Sequence, residues 1–213
     1  MARPDLSDAL RGGLVGVALG EALGLPWAGV PPRRIGRAKL YDEVGPTGAV
    51  TTQVLAAATR PDGDGAGGLP AALVLGWREP DALARHTAAL HLGFAPVMVA
   101  DLAAWAIRGQ PLYHLVADHA DDWPPPFHGV AADDRAIVDA LLAILHRHDD
   151  PLEGMRAAVR LGGGATATLG ALVGGILGSR RPTALDRAEW RERVPLPDPA
   201  SLDAAVAVLA ARR

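Results

Sequence analysis

The chain has 213 residues, of which 49% are hydrophobic and only 4% aromatic, and it contains no cysteine. That length suits one domain over 1–213 whose core is built from Ala, Leu and Val, and the missing cysteine excludes disulfides, thiolate zinc sites and cysteine nucleophiles. The 21 Lys+Arg against 24 Asp+Glu leave a formal charge of −3, which offers no general attraction to nucleic acid or to an anionic membrane.

In chain order the pattern is helical almost throughout. Residues 1–10 carry charge and a proline but no apolar stretch of the secretory kind, so a cytoplasmic protein is expected. Ser7 is a good N-cap for a helix through about Leu23, ended by Gly24 and Pro26. A second helix is expected over Val50–Ala58, broken by the turn-rich PDGDGAGG at 61–68. Leu69–Gly76, Asp81–Leu92 and Pro96–Arg108 follow, the last closed by Gly109 and Pro111. Pro111–Ala120 reads as a short helix and the WPPPF run at 123–127 as a rigid surface connection. Asp133–His146 is strongly periodic, with Ile137, Leu141, Ile144 and Leu145 on one face. Leu152–Leu161, Thr166–Leu177 and Asp203–Ala211 complete the set. No window alternates long enough for a strand, so the fold class is all-α. The apolar run Leu169–Leu177 is far short of the ~20 residues that span a bilayer.

Few residues stand in a setting that carries chemistry by itself. Gly170, Gly174 and Gly178 are spaced by four, which in a soluble Ala-rich chain lets a neighbouring helix approach closely. The glycines at 63–68 suit a backbone nest for an anion or a short loop equally well. His146-Arg147-His148-Asp149-Asp150 resembles a metal cluster on paper, yet it sits at a helix end, where cations offset the dipole. His114 and His119, beside Asp118, read the same way. Asp121-Asp122 and Asp133-Asp134 could mimic a carboxylate dyad but read more simply as surface and helix-opening charges. Ser7, Ser179 and Ser201 are in cap-like or terminal contexts, and Gly-x-Ser-x-Gly, Walker A and dinucleotide glycine motifs are all absent.

Residues 161–178 read LGGGATATLGALVGGILG, a glycine turn, a Thr-x-Thr pair and a helix of small apolar residues. This resembles the C-terminal signature of the ADP-ribosylglycohydrolase family, Gly-Gly-Asp-Thr-Asp-Thr followed by an Ala/Gly-rich helix. Gly163 and Gly164 take the glycines, Thr166 and Thr168 the threonines, and Ala165 and Ala167 stand in place of the two aspartates. With the register shifted by one residue, Gly164 and Thr166 stand there instead. Residues 12–28 resemble the opening helix and its Gly-Asp-Ala-Leu-Gly-x-Pro-x-Glu motif, with Glu21 for the aspartate and Ala28 for the glutamate given a catalytic role in the family. Ala49-Val50-Thr51-Thr52-Gln53 resembles Thr-Asp-Asp-Thr-Gln, with Val50 and Thr51 in place of the other two aspartates. Gly65-Ala66-Gly67-Gly68-Leu69 is similar to the family's phosphate-contacting glycine loop, without its asparagine and arginine. Leu90-His91 ahead of Pro96 resembles its Thr-His-x-x-Pro segment. Family members are usually longer, and most of the missing length falls between Gln53 and Gly65.

The resemblance implies a compact all-α bundle, with Mg²⁺-assisted cleavage of a glycosidic bond to ADP-ribose as the family chemistry. Hard cations need oxygen ligands and usually one or two carboxylates. Replacing the whole set removes the Lewis acid, the orienting template and the acid/base group together. The expectation is a protein without the family's metal, without a catalytic residue, and with at most a shrunken pocket. That pocket would draw on Glu21, Thr51, Thr52, Gly65, Gly67, Gly68, His91, Thr166 and Thr168. Helix starts favour phosphate even without metal, so the ligand implied is ADP-ribose or another phosphate-bearing small molecule. Two alternatives stand beside it: an active metal-independent glycohydrolase using Glu21, His91 or Asp101, and a structural or regulatory protein partner.

Overall fold

The computed structural model describes residues 4–36, 38–60, 68–79, 81, 93–120 and 129–211. Among them no strand occurs, and the all-α class holds. The helices are α1 (Leu6–Gly24), α2 (Pro32–Ile35), α3 (Ala49–Thr59), α4 (Leu69–Arg78), α5 (Phe94–Ile107), α6 (Tyr113–Ala120), α7 (Asp134–Arg147), α8 (Pro151–Leu161), α9 (Thr166–Arg180) and α10 (Pro199–Ala210). Short 3₁₀ turns follow α1 at Leu25–Trp27 and α9 at Pro182–Arg187 and Arg191–Arg193.

The centre of the molecule is the antiparallel pair α1 and α9. A helix apolar on all sides belongs in a core, and α1 is buried from Gly12 through Gly24 while α9 is buried from Leu169 through Ser179. Four glycines a turn apart on α1 meet the matching stripe on α9. A methyl group at Gly16 would lie 2.0 Å from the carbonyl oxygen of Gly174, one at Gly20 would lie 2.0 Å from that of Gly170, and Gly12 and Gly24 meet Gly178 and Thr166 in the same way. With so little aromatic volume, the core is dense because backbones touch. Trp77 fills the space that Gly13 leaves open. Around this pair, α4 packs on α5, α8 on α9, α6 on α7, and α10 on α3.

Several boundaries differ from the sequence expectation, each for a local reason. Asp5, and not Ser7, caps α1, because its carboxylate accepts the Leu6 N–H at 2.8 Å. Gly76 does not end α4. It is a packing glycine facing α5, where a methyl group would lie 2.1 Å from the carbonyl oxygen of Ala100, and the helix runs on to Arg78. The last helix starts at Pro199, four residues before the expected Asp203, with Asp198 accepting the Ser201 N–H at 2.9 Å. Asp-Pro is a start signal that the apolar pattern alone does not weigh. Phe94 and Tyr113 open α5 and α6, where Pro96 and Pro111 were expected. The expected helix Asp81–Leu92 lies outside the described residues apart from Asp81, as does the WPPPF run.

Candidate functional site

The start of α3 is held by a side chain from another helix. Gly48 occupies its N-cap position and supplies no capping side chain, so the orphan N–H groups of the first turn need another acceptor. Glu21, on α1 and only 2% exposed, provides it. Its Oε2 accepts the Gly48 N–H at 2.9 Å and the Thr51 N–H at 2.8 Å, while Oε1 accepts the Val50 N–H at 2.8 Å. The Thr51 hydroxyl adds a fourth bond to Oε2 at 2.5 Å. The donors and the positive end of the helix dipole converge on one carboxylate. That arrangement accommodates an anion, and the anion is part of the chain.

The glycine turn ahead of α9 is clamped from both sides by backbone. Gly163 accepts the Gly29 N–H at 2.8 Å and donates to the Val30 carbonyl at 3.1 Å, while the Gly162 carbonyl accepts the Val130 N–H at 2.9 Å. Gly162 and Gly163 have φ of +67° and +90°, a region side chains rarely enter. A methyl group at Gly163 would lie 2.5 Å from both the nitrogen and the oxygen of Val130. Their glycine identity follows from the turn and its two neighbours. Thr166, fully buried, donates its hydroxyl to the Gly163 carbonyl at 2.7 Å. Ala165 is buried at the N-cap of α9 without a capping side chain. Ala167 and Thr168 are half-buried.

The expected site residues are therefore brought together in part. Glu21 and Thr51 are in direct contact, and three residues along α1 Gly24 lies against Thr166 and Ala167, so one end of α1 positions both helix starts. Thr52 is exposed and donates back to the Gly48 carbonyl at 3.0 Å. Gly68, at φ +113°, is the N-cap of α4. Gly65, Gly67 and His91 lie outside the described residues. Ala28 is exposed at the end of its 3₁₀ turn, and Asp101 is half-buried on α5. Among the described residues no group of three His, Cys, Asp or Glu is placed to hold a metal ion. His146 stacks on Tyr113 with ring centroids 5.5 Å apart. Among the described residues no helix is long and apolar enough to cross a membrane.

Sequence reasoning missed a second concentration of chemistry. A cavity of about 500 Å³ opens between residues 38–42, the outer face of α8 and the 189–193 turn, and Lys39, Arg156, Arg160 and Arg193 line it. These residues are scattered along the chain in no motif. The one sequence signal was the three- and four-residue spacing of Glu153, Arg156 and Arg160 on a single helix face.

No protein-family model matches the chain, and no curated protein does. Among solved structures the chain is similar to one described as an ADP-ribosylglycohydrolase-related protein complex, at 22% identity and a TM-score of 0.64. The match covers 98% of this chain and 99% of that one. The likeness is one of fold, and the all-α arrangement above is the fold of that protein.

Proposed function

We propose that this chain is a non-hydrolytic protein of the ADP-ribosylglycohydrolase fold, in which an internal carboxylate takes the place of a metal centre. It works by binding, either to a phosphate-bearing small molecule or to a protein. The observation that carries this reading is the set of four hydrogen bonds on Glu21. A hard cation there would need several oxygen ligands free to coordinate. Instead the groups around the one carboxylate are N–H and O–H donors, which turn their hydrogens toward the space a cation would need. Val50, Ala165 and Ala167 carry no side-chain oxygen, and Thr51 and Thr166 offer only neutral hydroxyls where a hard cation usually takes one or two carboxylates. The residues present do not fit a divalent metal.

The same contact weighs against Glu21 as a metal-independent catalyst. A general base must reach a substrate proton, and Glu21 is nearly fully buried with both oxygens turned onto the start of α3. It also closes α3 as a phosphate site, since its first-turn N–H groups have their anion. The similar solved chain is described as a protein complex, which supports the protein-partner arm.

The test is release of ADP-ribose from arginine- and serine-linked ADP-ribosyl substrates, with Mg²⁺, with EDTA, and with neither. No product above the protein-free rate is expected in any arm. Turnover abolished by EDTA overturns the metal-free reading. Turnover that survives EDTA but is lost in a folded Glu21→Gln variant establishes the metal-independent hydrolase instead. Crystals soaked in Mn²⁺ give a second check, where an anomalous peak beside Thr51 or Thr166 counts against the proposal.

A further inference from the structure

We propose that the cavity between residues 38–42, α8 and the 189–193 turn binds a hydroxylated organic phosphate, with Arg160 and Lys39 meeting the phosphate and Asp42 or Glu189 accepting ligand hydroxyls. Its volume, about 500 Å³, lies within the roughly 300–1,000 Å³ of small-molecule sites. It shares no residue with the Glu21–Thr51 contact.

One wall is rigid. The Tyr41 ring stacks on the fully buried Trp190 with centroids 4.5 Å apart and planes 11° from parallel. The Arg156 guanidinium sits 4.7 Å over the Tyr41 ring. Two groups that close cannot share a ring face, so Tyr41 is held between them and Arg156 is fixed before any ligand arrives. A wall fixed in advance loses less freedom when a ligand settles against it. Arg193 is also fixed, donating to the Tyr41 carbonyl.

The charges are distributed unequally between this cavity and the adjoining surface. Arg180 and Arg181 are both paired with Asp149, Arg187 with Asp150, and Arg191 with Asp186. In the cavity Arg156 is paired with the Glu153 carboxylate. Lys39, Arg160 and Arg193 make no ion pair among the described residues, and neither do Asp42 and Glu189, although all five line the same space. All five residues are exposed and Arg193 is held on the Tyr41 carbonyl, and cations set beside carboxylates in one space suit a ligand with both an anionic group and hydrogen-bond donors. A phosphate ester of a polyol has both. Bare phosphate would meet the two carboxylates with nothing to offer them.

This extends the small-molecule arm of the proposed function, and its test is separate from any hydrolysis assay. Glucose 6-phosphate, inorganic phosphate and glucose are titrated by calorimetry into the whole chain at low salt. Glucose 6-phosphate is expected to bind saturably and more tightly than phosphate, and glucose not to bind. Losing a charge-assisted contact in Arg160→Gln should weaken glucose 6-phosphate about tenfold or more. Arg34→Gln, an exposed arginine that does not line the cavity, should leave it within about twofold. Asp42→Asn should tighten inorganic phosphate. Circular dichroism confirms that each variant is folded. No saturable heat from glucose 6-phosphate up to millimolar concentration, or equal weakening by Arg160→Gln and Arg34→Gln, overturns the site. Phosphate binding as tightly as its ester overturns the role of Asp42 and Glu189. If binding is absent and hydrolysis is absent too, the non-hydrolytic reading stands while this site does not.

Discussion

Thr51 gives both its donors to one oxygen of Glu21, the backbone N–H at 2.8 Å and the hydroxyl at 2.5 Å. The contact joins α1 to α3 across 30 residues of sequence and satisfies a helix start that has no cap of its own. Because it is nearly fully buried, its loss is felt in stability.

Glu21→Gln keeps the shape but turns an amide N–H₂ toward donors. It is expected to cost about 1–3 kcal/mol, the usual penalty for a buried polar group left unsatisfied. Glu21→Ala should cost more, because three backbone N–H groups lose their acceptor together. Urea denaturation checks both. A Glu21→Gln variant as stable as the wild type would mean that α3 does not depend on this carboxylate.

The glycine stripes of α1 and α9 give a sharper contrast. Gly→Ala inside a helix ordinarily gains about 0.5–1 kcal/mol from backbone entropy. At Gly16 the added methyl group would lie 2.0 Å from the Gly174 carbonyl oxygen, so one backbone must move. Overpacking of this kind costs about 1–3 kcal/mol or more. Gly16→Ala and Gly174→Ala should each lower the melting temperature by several degrees. Gly164→Ala should be nearly neutral, since its methyl group would meet only the Ala132 side chain at an ordinary 3.6 Å. Equal melting temperatures for Gly16→Ala and Gly164→Ala would contradict the packing described.

The buried hydroxyl of Thr166 separates structure from ligand binding. Its bond to the Gly163 carbonyl is internal, and that carbonyl also accepts the Gly29 N–H, so removing the hydroxyl leaves no orphan acceptor. Thr166→Val is expected to cost about 0.5–1.5 kcal/mol, the net worth of one hydrogen bond. It should not change any ADP-ribose affinity measured by calorimetry. A loss of binding without a loss of stability would return Thr166 to the ligand site.

The fold was legible wherever apolar period and small residues coincided. Residues 166–177 announced a helix built for close approach, and 133–146 announced one apolar face. What the pattern could not announce was the partner of the Gly170, Gly174 and Gly178 stripe. The matching glycines at 12, 16, 20 and 24 pair with it only once the two helices run antiparallel. Glu21 was legible as a departure from a motif but not as a cap, because nothing local says that Gly48 will borrow its acceptor from another helix. The α8 cavity was legible only as one charged helix face, for the same reason. Lys39, Arg160 and Arg193 meet only through tertiary packing.

Asp150 gives the pH dependence its sign. It caps α8, accepting the Leu152 N–H at 2.9 Å and the Glu153 N–H at 3.3 Å, and it pairs with Arg187. Burial alone would raise its pKa, but the Arg187 hydrogen bond and the two backbone N–H groups outweigh burial and hold it below the ordinary 3.8. A carboxylate whose folded pKa is depressed contributes stability that is present above its unfolded value and fades as pH falls through the folded one. Asp150→Asn keeps an acceptor for the cap but gives up the Arg187 pair. Since Arg187 is largely exposed, with 63% of its side chain accessible, that pair is worth no more than about 1 kcal/mol at neutral pH. Asp150→Ala also removes the cap, which is worth about 1 kcal/mol by itself. Chemical denaturation at pH 7 and again below pH 3 should show the wild-type advantage over Asp150→Asn shrinking as the wild-type carboxylate is protonated. An advantage of the same size at both pH values would show that the charge of Asp150 contributes nothing.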